Sequence, residues 1–397
     1  MFSLLLALLV LHGSASAEAS FLIFPLENRT APALAWVGEG IALSLGEQMR
    51  VPGIEVIGRD ERQEYVMRAD LPSGFQLSNA SMIRVAQLAE ADYLVTGWYS
   101  GTDDRVDISL QAIDLKTMRK GGGVSARGPV SELPQMENEL AYNLLVNAGL
   151  NAASDRQAFR ERTRRVPNNA YAQFVESLQA RSEEDQVAAL KRAVALYADF
   201  PQALFRLGRY YYEAGKCESA IRYLEPARKW QLRSLESQFM LGVCYLKKNA
   251  LTDAVRSFSA IVPETRSVAA LNNLGVAELR QSDYAPAVEH LTEACRLSRA
   301  DSAVALNLAI LHYLRGDLDA AHKVLEQILA GNPNRPVALY LLSRVLERRG
   351  ESEKAAEALA QAKRVGADTE KLRTEEPGNW CRVLDAWDQG SLASADQ

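Results

Sequence analysis

The sequence is poor in the residues on which most catalytic and metal centres depend, with four histidines and four cysteines in 397 residues. Cys217, Cys244, Cys295 and Cys381 show no C-x-x-C spacing, which excludes a zinc ribbon or a thioredoxin-like redox pair. His12 lies in the apolar start of the chain, and His290, His312 and His322 lie apart on helical patterns, so no nucleophile, base or metal set converges. The chain also lacks an excess of positive charge: a net charge of −5 and a pI near 5.6 give no field to gather nucleic acid. With 14 prolines, 24% charged and 48% hydrophobic residues, it reads as globular rather than disordered. Its one long apolar run, Phe2 to Gly13, is about a dozen residues, short of the roughly 20 needed to cross a bilayer. Ser14-Ala15-Ser16-Ala17 follows as a small-residue cleavage site, so residues 1–17 read as a signal peptide cut near Ala17, although no Lys or Arg precedes the run. No cysteine follows to carry a lipid anchor. The expectation is an exported, periplasmic or secreted protein without a transmembrane segment.

The length allows two or three folding units. Within residues 18–150, short apolar runs closed by breakers (Phe21 to Phe24, Ile54 to Ile57) alternate with helical patterns (Trp36 to Met49, Ser81 to Ala89). Tyr93 to Tyr99 and the alternating VDISLQAID flank a hairpin loop at Gly101 to Asp104, and a strand near Gly122 to Arg127 precedes a helix from Val130 to Leu150. The reading is an α/β domain with a mixed sheet. The segments FPLENRT, WVGEGI, PGIEVIGR and AEADYLVTG, with the hairpin ending in AID, resemble the TolB-type amino-terminal domain, similar in outline to the curli-secretion protein CsgG. That resemblance covers about 110 residues, implies a bacterial envelope setting and carries no catalytic set. Gly121-Gly122-Gly123 lacks the strand–helix context and the Lys-Ser/Thr of a phosphate cradle, so no cofactor is expected.

Internal repetition is the strongest signal. Leu207-Gly208, Leu241-Gly242, Leu274-Gly275, Leu308-Ala309 and Leu342-Ser343 recur at steps of 34, 33, 34 and 34 residues. A second column, Ala220, Ala254, Ala287, Ala321 and Ala355, keeps the same period, and Leu224, Phe258, Leu291, Leu325 and Leu359 form a third. Gly215, Asn249, Asp283, Gly316 and Gly350 read as the breakers that close the first helix of each unit. The period and the alternation of large and small residues resemble the tetratricopeptide repeat (TPR), a helix–turn–helix unit that stacks into a superhelical solenoid. One degenerate and five clear repeats would occupy residues 168–370, behind a basic helical linker at 151–167 that carries Arg156, Arg160, Arg162, Arg164 and Arg165. Residues 371–397 read as a capping helix and frayed tail, with Trp380, Val383, Leu384 and Trp387 at helical spacing.

The resemblance places the first helix of each repeat on the concave surface and implies protein-binding positions there. These include Phe205, Arg206, Arg209, Tyr212, Phe239, Asn272, Asn273, Arg280, Asn307, Tyr313, Tyr340 and Arg344. Asn273 and Asn307 share a repeat position, and a side-chain amide both donates and accepts, so each suits the backbone of an extended peptide; the plainer reading is that they solvate a helix face. The arginines would favour an acidic segment. The lysines of a carboxylate clamp are missing. Cys217 and Cys244 fall near the facing ends of adjacent helices, as a disulfide or as buried thiols. The chain therefore reads as a non-enzymatic scaffold or adaptor holding a peptide or another envelope protein. The alternative is an envelope sensor whose amino-terminal domain takes a small molecule or glycan and signals through the array.

Overall fold

The structure, a computed structural model, describes residues 19–30, 34–71, 77–102, 104–150, 155–228, 234–298 and 301–387. The expected signal peptide, Asp103 of the hairpin loop and the end of the tail from residue 388 lie outside these residues. The chain forms two compact units, residues 1–203 and 204–397.

The first unit is built on a mixed sheet. Its strands are β1 (Ala19–Ile23), β2 (Glu27–Asn28), β3 (Ile54–Ile57), β4 (Tyr93–Gly101), β5 (Arg105–Asp114), β6 (Arg119–Lys120) and β7 (Val124–Pro129). β1 lies between β3 and β4 and runs parallel to both, while β4 and β5 form an antiparallel hairpin that β6 and β7 extend. Alternation along β1 sorts its side chains to two cores. Phe21 and Ile23 pack with α1 (Val37–Met49) and α4 (Leu133–Asn147), and Leu22 and Phe24 pack with α2 (Arg59–Arg68) and α3 (Asn79–Leu88). The sequence reading has no helix at α2, whose ten residues include six charged side chains and bury only Arg62 and Val66. Arg62 is buried because it donates to the Ile23 carbonyl at 2.8 Å and to Glu39 at 2.6 Å.

Two parts of the expected domain plan change. Residues 155–167 are not a solvated linker: Arg162 donates to the Gln48 and Arg50 carbonyls at the end of α1, at 3.1 and 2.6 Å. Arg164, buried, donates to Glu137 at 3.2 Å and lies over the Tyr171 ring at 4.0 Å. Carbonyls left open at a helix end and a buried carboxylate recruit these arginines, so their charge is used inside the unit. α5 (Arg156–Arg160) is held there by Phe159, which is buried and whose carbonyl accepts from Asn138 at 2.9 Å. The first helix pair, α6 (Asn168–Gln179) and α7 (Glu183–Leu196), also belongs to this unit rather than to the array. Tyr171 donates to the Gly40 carbonyl at 3.2 Å, and its ring packs against Trp36 and Phe174.

The second unit is a stack of helix pairs. The first helices are α8 (Pro201–Glu213), α10 (Ser234–Lys247), α12 (Val268–Arg280), α14 (Ser302–Arg315) and α16 (Pro336–Arg348). Their partners are α9 (Cys217–Arg228), α11 (Leu251–Ser259), α13 (Tyr284–Ser298), α15 (Leu318–Gly331) and α17 (Ser352–Arg364). Capping side chains start several of them: Ser267 accepts from the Ala270 amide and Asp301 from the Ala303 amide. Pairs turn at a residue of positive φ, namely Gly215, Asn249, Ser282, Gly316 and Gly350. Ser282 takes the place expected of Asp283, because it keeps the offset of eight residues from Leu274 that the other four turns share.

The glycine column explains the third column. A β-carbon on Gly208, Gly242 or Gly275 would lie 2.5, 2.7 or 2.6 Å from Leu224, Phe258 or Leu291 of the same repeat. The large residue therefore sits over its own repeat's glycine. Gly242→Ala should lower stability by about 1–2 kcal/mol in urea unfolding, because overpacking against the buried Phe258 ring outweighs alanine's gain in helix propensity of about 1 kcal/mol. Gly331→Ala, at a helix end with nothing within 4 Å of the new methyl group, should raise stability by up to about 1 kcal/mol.

Candidate functional site

The inner face of the second unit is covered by residues 377–387. After α18 (Thr369–Thr374), residues 377–380 make one 3-10 turn and 381–387 continue without helix or strand. Among the described residues, the helix expected to carry Trp380, Val383, Leu384 and Trp387 does not form. Pro377 and Gly378 interrupt the chain just before this segment. The backbone amides pair with side chains of the array instead.

Two asparagines make those pairs. Asn307 on α14 donates from Nδ2 to the Arg382 carbonyl and accepts the Arg382 amide on Oδ1, both at 2.8 Å. Asn273 on α12 does the same with Leu384, again at 2.8 Å in both directions. Each side-chain amide thus copies one rung of an antiparallel ladder, and residues two apart, whose backbone polar groups point the same way in an extended chain, meet successive repeats. Asn272 supports both rungs: it donates to the Arg382 carbonyl at 3.1 Å and to Asn273 Oδ1 at 3.0 Å, and accepts from Asn307 at 2.8 Å. All three asparagines are fully buried.

Aromatic contacts hold the ends of the segment. Trp380 packs edge-on to Tyr340 on α16 with ring centroids 5.5 Å apart, and Trp387 meets Phe239 on α10 at 5.0 Å. Between them Cys381 is buried, and Val383 and Leu384 pack on the core of the array. Burial pushes the Cys381 thiol up to about 12. Arg280 donates to the Gly378 carbonyl at 3.1 Å, Tyr212 donates to the Asp385 carbonyl at 2.5 Å, and Lys247 pairs with Asp385 at 3.0 Å. The segment runs against the order of the repeats, from α16 back to α8.

Of the expected binding positions, Tyr212, Phe239, Asn272, Asn273, Arg280, Asn307 and Tyr340 therefore meet the tail. Arg209 pairs with Glu213 at 3.5 Å and Arg344 with Glu347 at 2.5 Å. Tyr313 lies under Arg348, whose guanidinium is 5.0 Å from its ring centre, and Phe205 is buried with Arg206 half-buried beside it on α8. The tail contacts of Trp380, Arg382, Leu384 and Trp387 were not read from the sequence, where an i, i+3, i+4, i+7 apolar spacing favours a helix.

Outside this face, several titratable groups of the array pair with their neighbours. Cys244 is buried and hydrogen-bonded to Cys217, and burial pushes its thiol up; both cysteines are free thiols. His290 Nδ1 is 2.8 Å from Glu278, and that hydrogen bond, on a largely buried carboxylate, holds the imidazole above its ordinary value. His312 and His322 lie 3.5 Å from Asp317 and Glu326. Among the described residues no helix is long and apolar enough to cross a membrane.

Tetratricopeptide-repeat models match residues 205–267, 278–330 and 314–374. The second unit is a TPR array. Similar solved structures include MamA, 21% identical over 42% of this chain and 97% of that one, with a TM-score of 0.38. A MamA fragment beginning at residue 41, from Desulfovibrio magneticus RS-1, is 16% identical over 44% of this chain and 97% of its own, with a TM-score of 0.39. YrrB, a TPR protein with an unusual peptide-binding site, is 16% identical over 48% of this chain and 100% of its own, with a TM-score of 0.41. No curated protein matches the sequence. The matched models describe an interaction repeat, and no catalytic family is among them.

The TPR array's His290–Glu278 pair gives a pH-dependent prediction. Because the folded pKa is raised, the pair's stabilisation is full below the unfolded value of about 6.5 and is lost as pH rises through the folded one. The stability difference between the parent chain and His290→Gln, from urea unfolding, should be largest below the ordinary imidazole value of about 6.5 and shrink as pH rises past it.

Proposed function

We propose that the TPR array is a non-enzymatic scaffold that holds an extended segment of another protein along its inner face. The observation that carries this reading is the double pairing of Asn273 and Asn307, each amide 2.8 Å from both the N–H and the C=O of one backbone residue. Backbone pairing of this kind gives affinity without demanding a sequence, while neighbouring pockets select side chains. The groove offers such pockets at Phe239 and Tyr340.

The setting we infer is the bacterial cell envelope, with the mature chain periplasmic or secreted. Its support is the apolar run and small-residue site of residues 1–17, together with the TolB-type resemblance of the amino-terminal segments. An intact mass beginning at Glu18 in the exported protein would agree with it; a chain retaining residues 1–17 in the cytoplasmic fraction would remove it.

The groove reading is tested by crosslinking and mass spectrometry in the producing cell. A partner should crosslink to the inner face of α10, α12 and α14, and its affinity should fall about 100-fold or more in the Asn273→Ala/Asn307→Ala double variant, since each of four hydrogen bonds contributes about 0.5–1.5 kcal/mol. The helical circular dichroism should persist. Full retention of partners by the double variant would end the groove assignment.

A further inference from the structure

Residues 377–387 occupy the inner face in the way an independent peptide would. They form no strand and, beyond one 3-10 turn, no helix, and they bind through backbone pairing to Asn273 and Asn307 and through a ring at each end. The segment also has the polarity of a ligand laid in a groove: Cys381, Val383 and Leu384 face the array, whereas Arg382, Asp385 and Ala386 are exposed.

The fit carries a fault. The indole Nε1 of Trp380 is buried with no acceptor among the described residues, and an unmet buried donor costs about 1–3 kcal/mol. The ion pair of Lys247 with Asp385 is exposed on both sides and contributes little. The amide atoms of Asn273 and Asn307 that now pair with the tail would, in contrast, be open to water once it leaves, while their bonds with Asn272 stay within the array. A segment held by sequence-neutral rungs and two rings is open to replacement by another of the same pattern.

We propose that residues 377–387 are a cis-bound ligand that closes the TPR groove, and that the partner is an extended protein segment with aromatic residues seven positions apart and small or aliphatic residues between them, which binds by displacing the tail. This rests on the groove reading above and adds its regulation and the ligand's pattern. The tail is both the template for the partner and its competitor, so the affinity of the chain for any partner is lowered by the fraction of molecules in which the tail is docked.

The test uses the full chain and a synthetic peptide of residues 376–387 carrying Cys381→Ser, labelled with fluorescein. Cys381 reports undocking, since its thiol is buried only while the tail is seated. Iodoacetamide at pH 8, read by peptide mapping, should label Cys381 slowly in the chain alone and at least about 10-fold faster with saturating peptide, as expected if burial is what suppresses thiol reactivity. A peptide with both tryptophans replaced by alanine should leave the rate unchanged. In the Trp380→Ala/Trp387→Ala chain the labelled peptide should bind at least about 30-fold more tightly than to the parent chain, as competition with a docked segment requires. Adding Asn273→Ala and Asn307→Ala should remove that binding.

An alkylation rate indifferent to peptide, with equal peptide binding by the parent and Trp380→Ala/Trp387→Ala chains, would overturn the proposal. So would loss of helical circular dichroism in the Trp380→Ala/Trp387→Ala chain, which would make the tail a strut. A cellular partner that depends on Asn273 and Asn307 yet leaves Cys381 protected would overturn displacement while leaving the groove reading intact. A partner independent of those asparagines would remove the groove reading itself.

Discussion

The close approach of paired helices at the glycine column sets the geometry of the second unit. Gly208, Gly242 and Gly275 each lie under a large side chain of the same repeat, with no room for a methyl group. That contact fixes how one helix pair is built, and the 33–34 residue period then repeats it. Regular stacking is what gives Asn273 and Asn307 equivalent places on neighbouring helices. Helix axes pack roughly 8–10 Å apart, whereas two residues of extended chain span about 6.6–6.8 Å. The inner face of a curved stack is shorter than the line through its axes, so a two-residue stride can match one repeat. The 2.8 Å hydrogen bond from Asn307 to Asn272 shows how closely the inner faces of α12 and α14 approach.

A different kind of constraint holds the first helix pair to the amino-terminal unit. Ser44, Gln48, Glu137, Asn138, Arg164 and Tyr171 form a buried polar seam between α1, α4 and α6, with Ser44 donating to Glu137 at 2.6 Å and Asn138 to Gln48 at 2.7 Å. Burial pushes the Glu137 carboxyl up, while Arg164 and Ser44 oppose that. Such a seam adds less stability than an apolar one of equal size, but it tolerates few alternative arrangements. The repeat columns fade in α6 and α7 because these helices answer to the sheet domain's surface.

Legibility in the sequence followed the regularity of the physics. The strands at Ile54–Ile57 and Tyr93–Tyr99, the latter running on to Gly101, and the five repeats were readable because alternation and the 34-residue period are imposed by burial on one face. The helix α2 was not, since its register is set by one buried arginine reaching a carbonyl and Glu39, and no apolar stripe announces that. The arginines of the 151–167 linker could not be read as packed groups for the same reason: a charge run is indistinguishable in sequence from charges spent on helix ends. Within the candidate site, the asparagines were legible as groups able to bind a backbone, because identical residues at one repeat position require a shared environment. Their occupant was not legible. Trp380, Val383, Leu384 and Trp387 have helical spacing, and only the open asparagine amides elsewhere in the chain make an extended course preferable.

The division of labour along the groove follows from these facts. Asparagine rungs are indifferent to side chains, so they fix the conformation and direction of a bound segment without fixing its register. Register comes from the rings, since Trp380 and Trp387 must meet Tyr340 and Phe239 together, and sliding by two residues would keep the rungs while leaving both rings unmatched. Aromatic burial of this kind is where interface free energy usually concentrates. Selectivity in this groove is therefore a matter of spacing between anchors more than of the residues between them, and the segment that now fills it meets that requirement with one buried indole N–H left over.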